Sequence, residues 1–328
     1  LEVTLTEGAN ISPDPARVMD YSHPQKFTVT SEDGNWHKEY SVIIDTFDLP
    51  LRYDFEHYEL NETGKYQVFF EETQGTALFK QYIWASGNSG FALTGVGRNP
   101  QEYPTVSIEN GIDGSRAIKL ETKSTGQFGE TVKMPIAAGN LFLGSFDVNN
   151  AVQKPLKATR FGLPFGKKPL QLKGYYKYTP GTQPFKAKDK NGNTVTIPGQ
   201  EDEGDIYAVL YEAAELDGQA LDGNNVLTSK NIVALARVEV EKKDEFTAFH
   251  VDFHYGSRIP IDWPKFIRDQ RDPSDDGTAP YLSFSEEKMK NYEYNLAVVF
   301  TSSKYGAYFA GSVGSTLCID KVEIVCEK

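Results

Sequence analysis

The sequence predicts an all-β chain: a small β unit followed by a large antiparallel sandwich of the jelly-roll kind. Three observations carry this. Short runs of β-formers alternate in period two, as half-buried strands do. Turn residues separate them, with 28 glycines and 17 prolines available. Helix signals are few, while 18 tyrosines and 20 phenylalanines against 3 methionines add a β bias. The 328 residues suffice for one large domain and a small one, divided here as residues 1–46 and 47–328.

The plainest strand lies near the middle, Leu170 to Tyr178. Leu170, Leu172, Gly174, Tyr176 and Tyr178 share one side, and Gln171, Lys173, Tyr175 and Lys177 the other. One side is therefore buried, and the second meets water or a ligand. Phe161–Pro169 holds two glycines and two prolines and reads as irregular; Pro180-Gly181 closes the strand with a turn. Asp205–Glu212, Ile232–Val240, Phe246–Tyr255, Tyr294–Thr301 and Thr316–Val325 are further strands. Ser285–Asn291 and Asp262–Gln270 are the helix candidates, and the polar stretch Lys186–Gly204 reads as a surface loop. In the first unit, Leu1–Leu5, a short segment within Gly8–Pro15, Lys26–Thr30 and Glu39–Ile44 are strand-like.

Charge and cysteine content narrow the function. A net charge of -12, spread along the chain, sets aside nucleic acid and anionic membrane as partners. No apolar run is long enough to cross a bilayer as a helix. Cys318 and Cys326 lie eight residues apart on one strand. That is roughly 26 Å at about 3.3 Å per residue, so two free thiols are expected. The opening Leu1-Glu-Val-Thr-Leu5 carries no signal segment and reads as a processed or trimmed start.

Three polar strand faces are the candidate site. Tyr175 and Lys177 stand on the first, Asp205, Tyr207 and Tyr211 on the second, and His250, Asp252 and His254 on the third. Side by side on one concave sheet they would form a tyrosine-walled groove with carboxylates and a lysine. A sugar suits such a groove, its apolar face on the rings and its hydroxyls on the polar groups. Trp263, in a loop between Asp262 and Pro264, is the best single stacking candidate. For hydrolysis, the pair to test is Asp205 and Asp252. His250 and His254 are four apart on a strand, about 13 Å, too far for a shared zinc ion.

Two stretches carry family resemblances. Leu5–Pro15, Phe27–Gly34 and Tyr40–Val42 resemble the bacterial immunoglobulin-like modules of surface lipoproteins of gut Bacteroidetes, which act as spacers. Gly139–Gly144, Phe161–Phe165, Lys168-Pro169, Gly174–Gly181 and Gly311–Asp320 resemble the putative carbohydrate metabolism domain (PCMD) family of Bacteroidetes, over roughly residues 50 to 326. The resemblance implies an exported, periplasmic or surface-anchored β-sandwich linked to glycan use. Phe55-Glu56, Gly111–Ser115 and Leu317–Val322 also look like the framework of jelly-roll carbohydrate-binding modules. There a structural calcium ties the first and last strands, which makes Glu56, Asp113 and Asp320 its candidate ligands. No other cofactor is required.

The expected function is binding of a polysaccharide or oligosaccharide by a monomer. The alternatives are a glycoside hydrolase with a carboxylate pair, or a structural surface or adhesin component without a sugar site.

Overall fold

The computed structural model describes residues 3–17, 25–42, 48–73, 79–216, 219–272 and 277–327. The chain divides into two compact units, Leu1–Asp48 and Leu49–Lys328.

In the first unit Asn10–Ser12, Gln25–Thr30 and His37–Val42 form a three-stranded antiparallel sheet. Its second hairpin turns where the sequence signals it, with Gly34 N donating to Ser31 O at 2.9 Å. Phe27 is its buried large side chain among the described residues. Val3–Leu5 form no strand; Leu1, Ile43 and Ile44 lie outside the described residues. A second sheet facing this one, which an immunoglobulin-like sandwich requires, does not occur among the described residues of the unit.

The second unit is a sandwich. Its main strands are β1 (Thr105–Ile108), β2 (Ala117–Glu121), β3 (Asn140–Phe146), β4 (Pro169–Thr179), β5 (Asp205–Glu212), β6 (Ile232–Val238), β7 (Lys243–Asp252), β8 (Tyr294–Thr301) and β9 (Thr316–Cys326). Sheet I runs β1-β2-β9-β4-β7, with Arg52–Tyr53 added on β9. Sheet II runs β3-β8-β5-β6, with Thr159–Phe161 and His254–Tyr255 at its edges. The pairings are antiparallel and nested: β2 with β9, β3 with β8, β4 with β7, β5 with β6. Successive pairs alternate between the sheets, which is the jelly-roll arrangement expected.

Alternation builds the core between the sheets. Leu172, Tyr176 and Tyr178 of β4 meet Ile206, Val298 and Phe300 of sheet II. Gly174 belongs to the same inward row because a Cβ there would stand 3.0 Å from the Phe249 ring. Leu170 departs from that row and is 40% exposed. A register shift between Pro169 and Gln171 against β9 takes it out of phase. At the end of β7 the chain changes sheets: Asp252 pairs with β4, whereas His254 pairs with Leu235 of β6.

A second apolar cluster covers the outer face of sheet II. Phe142, Tyr207, Val209 and Tyr211 pack there under Leu221 and Tyr281, so every residue of β5 is buried. This outer cover explains why β5 reads as half-polar in sequence yet meets no solvent.

The remaining elements are small. Lys186–Gly204, expected as a loop, contains a hairpin of Lys186–Lys188 with Thr194–Thr196. Asp189 sets its turn by accepting from Asn191 N and Asn193 N, both at 2.8 Å. Glu286–Lys290 is a short helix whose Ser285 hydroxyl accepts from Lys288 N. Lys265–Arg268 is the other expected helix. Both cysteines are free thiols, and burial pushes each up to about 11.

One buried acid works against the fold. Glu71 accepts from Trp84 Nε1 at 2.8 Å and lies opposite Gln81. Burial pushes its carboxyl from the usual 4.5 up to about 7. A raised acid pKa stabilises the fold fully below the unfolded value, and that stability is lost as pH rises through the folded one. The loss is about 3 kcal/mol at most between pH 4.5 and 7. Glu71→Gln keeps an acceptor for Trp84, so thermal melts should find the variant more stable than the parent at pH 8 and level with it near pH 5.

Candidate functional site

The structure distributes the sequence candidates over two outer faces. Tyr175, Lys177, His250 and Asp252 stand on the outer face of sheet I, where β4 pairs with β7. Asp205, Tyr207 and Tyr211 stand on the outer face of sheet II, because β5 pairs with β8 and β6. The sheets meet through their inner faces, so the single groove expected does not form. Asp205 and Asp252 are likewise on different sheets and cannot act as one carboxylate pair. His254 lies on the sheet II edge with its ring 3.0 Å from Ser257 Oγ, apart from His250.

The sheet I face is a solvated one. Lys173 pairs with Glu323 at 3.1 Å, Gln171 donates to Asp252 at 2.9 Å, and Lys177 lies over the Phe246 ring at 5.1 Å. Exposed contacts of this kind contribute little each. Tyr175, 36% exposed, is the ring this face presents.

Tyr211 is an anchor, donating to Phe161 O at 2.6 Å and accepting from Asn295 Nδ2 at 3.0 Å. Trp84 is core, packed edge-on against Tyr53 at 5.0 Å. The calcium candidates lie at one loop. Asp320 accepts from Ile112 N at 2.6 Å and Ser115 Oγ at 2.9 Å, and Glu56 accepts from Arg116 N at 3.1 Å. Asp113 adopts a positive φ of 55° within that turn. Gly111 lets the loop approach, since a Cβ there would meet Asp320 Oδ2 at 2.6 Å. Among the described residues no three His, Cys, Asp or Glu side chains are grouped to hold a metal ion.

Two recesses flank Asp205. The larger, about 590 Å³, is an acidic cleft at the start of β5, with Asp202, Glu203, Glu239 and Asp262 in its walls and Tyr178 and Pro180 beside them. Its frame is a knot around Asp202. One oxygen accepts from Ser303 Oγ at 2.6 Å, Ser315 Oγ at 2.7 Å and Ser312 N at 2.8 Å. The other accepts from Glu203 N at 3.0 Å. Burial pushes this carboxyl up to about 6 against the pull of those bonds.

Asp205 is engaged as well. Its oxygens accept from Arg237 Nε at 2.9 Å and Nη2 at 2.6 Å, a bidentate and nearly buried pair. Burial works against the Arg237 charge, but Asp205 outweighs it and holds the guanidinium protonated. Glu203 pairs with Lys304 at 2.7 Å. Glu239 and Asp262 are exposed, and among the described residues neither side chain holds a hydrogen bond or ion pair. Such carboxylates can each accept from two neighbouring hydroxyls of a ligand.

The second recess, about 200 Å³, lies on the outer face of sheet II and is mostly apolar. Phe142, Phe161, Tyr207 and Val299 line it, with Trp263 at one side. Arg271 stacks on the Trp263 ring at 4.3 Å, and Trp263 Nε1 is buried with no hydrogen-bond partner. Asp205 and Lys304 line both recesses.

Sequence reasoning reached Asp205, Tyr207 and Trp263 but missed Asp202, Glu203, Glu239 and Asp262. A signal existed: Glu201-Asp-Glu-Gly-Asp205 is a dense acidic run ending where a strong strand begins. Removing one member of the buried ion pair leaves the other uncompensated. Arg237→Met should therefore cost about 3–5 kcal/mol in urea unfolding, and adding Asp205→Leu should recover most of it.

Comparison with known proteins agrees with this fold. A crystal structure named a putative glycoside hydrolase from Bacteroides thetaiotaomicron VPI-5482 shares 42% identity at a TM-score of 0.70, covering 99% of this chain and 85% of that one. Another so named, from Bacteroides vulgatus ATCC 8482, shares 34% identity at a TM-score of 0.68, covering 86% of this chain and 100% of that one. No curated protein matches. Residues 2–44 match a family described as "SGBP, N-terminal", which is the description the first unit receives. Residues 54–325 match the family described as "Putative carbohydrate metabolism domain". The chain belongs to that family, and its role is carbohydrate-related.

Proposed function

We propose that the protein is an exported carbohydrate-binding protein of glycan use, at the cell surface or in the periplasm, and that the acidic cleft holds the sugar. The observation that carries this reading is the pair of exposed, unengaged carboxylates, Glu239 and Asp262, in a cleft of about 590 Å³. A carboxylate accepting two vicinal hydroxyls fixes a pyranose by charge-assisted hydrogen bonds. Tyr178 and Pro180 add apolar wall. The match of the first unit to "SGBP, N-terminal" and the Bacteroides neighbours support the location.

A second reading, hydrolysis, is favoured within the structure by Asp202. A carboxyl pushed up to about 6 has the proton affinity of a general acid, and it lines the same cleft as the two free carboxylates. The solved relatives' names point the same way. Against it stands the saturation of both Asp202 oxygens by internal donors.

A polysaccharide panel separates the readings. The protein should be retained on at least one glycan without releasing reducing ends. Glu239→Ala and Asp262→Ala, both at exposed positions, should fold normally and lose at least tenfold in affinity. Retention unchanged in both variants would remove the cleft from consideration, and reducing ends released at a rate that falls in an Asp202→Asn variant whose thermal melt matches the parent's would establish the hydrolase.

A further inference from the structure

We infer that the cleft sorts glycans by charge: it takes an uncharged sugar unit and refuses the uronic acid of the same shape. This inference rests on the cleft reading above and adds the chemical class of the ligand.

The cations come first. Three line the cleft, Arg237, Lys242 and Lys304. Each is already matched by a carboxylate: Arg237 by Asp205 at 2.6 Å, Lys304 by Glu203 at 2.7 Å and Lys242 by Asp244 at 3.8 Å. A uronate or sulfate on a glycan is held by charge-assisted donors, and it needs them free. To reach Arg237 it would have to displace Asp205, which accepts from both Nε and Nη2 and is itself buried. Breaking such a pair leaves an uncompensated charge inside the protein. Lys242 is the loosest of the three, but its side chain is mostly exposed, where an ion pair with a ligand contributes little.

The carboxylates point the same way. Seven line the cleft. Asp205 and Glu203 are spent on Arg237 and Lys304, Glu241 pairs with Lys243 at 2.8 Å, and Asp202 is buried in its knot. Glu201, Glu239 and Asp262 remain. They are exposed, and among the described residues their side chains hold no hydrogen bond or ion pair. Half-buried Val238, Val240, Ile259 and Ile261 stand in the same walls. A recess with apolar walls and one sign of charge focuses its field. At 0.1 M salt the Debye length is about 10 Å, so that field reaches across a sugar ring. Hydroxyls donate to these carboxylates, whereas an anionic unit meets like charge that nothing cancels. Repulsion of the wrong ligand gives specificity even where its shape fits.

The test uses the full chain and three probes for each common hexose: the methyl hexoside, the matching methyl hexuronoside, and the methyl ester of that hexuronoside, which restores neutrality. Binding is read by ligand-observed NMR at about 0.01 M and about 0.1 M salt, where the Debye length is roughly 30 and 10 Å. In a set that binds, hexoside and ester should bind alike and the uronate at least tenfold more weakly, with a gap that narrows as salt rises. Glu201→Lys, in the cleft wall, should narrow the gap at least threefold. Glu62→Lys makes the same change in net charge at an exposed position outside the cleft walls, and should leave the gap as it is. A uronate that binds as tightly as its ester would overturn the inference and leave the cleft reading standing. An ester as weak as the uronate would trace the gap to shape, and equal narrowing in the two variants would trace it to overall charge; either overturns the inference. Failure of every probe to bind would sink the cleft reading and this inference together.

Discussion

The second unit depends on one buried carboxylate. Asp202 gathers donors from Ser303, just after β8, and from Ser312 and Ser315, just before β9. Through Ser303 the network reaches Thr122 at the end of β2, whose hydroxyl also meets Ser302 at 2.8 Å. Strand ends from both sheets are thereby fastened at one point. The segment that leaves the knot, Glu203 to Asp205, lines the cleft, and Asp205 at its end lines both recesses. A hydrogen-bonded network of this kind is rigid when every member is satisfied, and it fails as a unit when one is lost.

Covering sheet II on its outer face has consequences for where a ligand can go. A sandwich with a bare sheet offers a broad face to a polysaccharide. Here that face is spent on packing around Tyr207 and Tyr211, and on sheet I the polar face is neutralised by its own ion pairs. The accessible chemistry moves to the edge, where loops before β5 and after β6 meet. Short, chemically distinct ligands suit such a site better than long, flat ones.

Much of the architecture was legible in the sequence. Period-two alternation located β4, β5, β8 and β9 because their inward residues are apolar and their turns carry glycine, proline or aspartate. The two free thiols followed from strand rise alone. What alternation cannot carry is partner order. Nothing local tells β5 to lie beside β8 and β6 rather than β4, so the three polar faces were placed together wrongly. Burial of Asp205 and Tyr211 was hidden for a related reason. Tyr281, which helps to cover β5, is remote in sequence, and Leu221 folds back from the irregular segment that follows the strand. The acidic run before β5 was visible as composition, but only the fold shows that it encloses a cleft.

The nested order of the strands bears on biogenesis. β9 is the last strand of the sandwich in the chain, yet it occupies the middle of sheet I, between β2 and β4. Until it has been synthesised, both neighbours present bare edges, which are templates for association with other chains. Sheet I cannot close strand by strand as the chain emerges; it closes by late insertion of its centre, a long-range step that makes folding slow. A chain with this topology has reason to stay bound to a holding factor until its final strand is free.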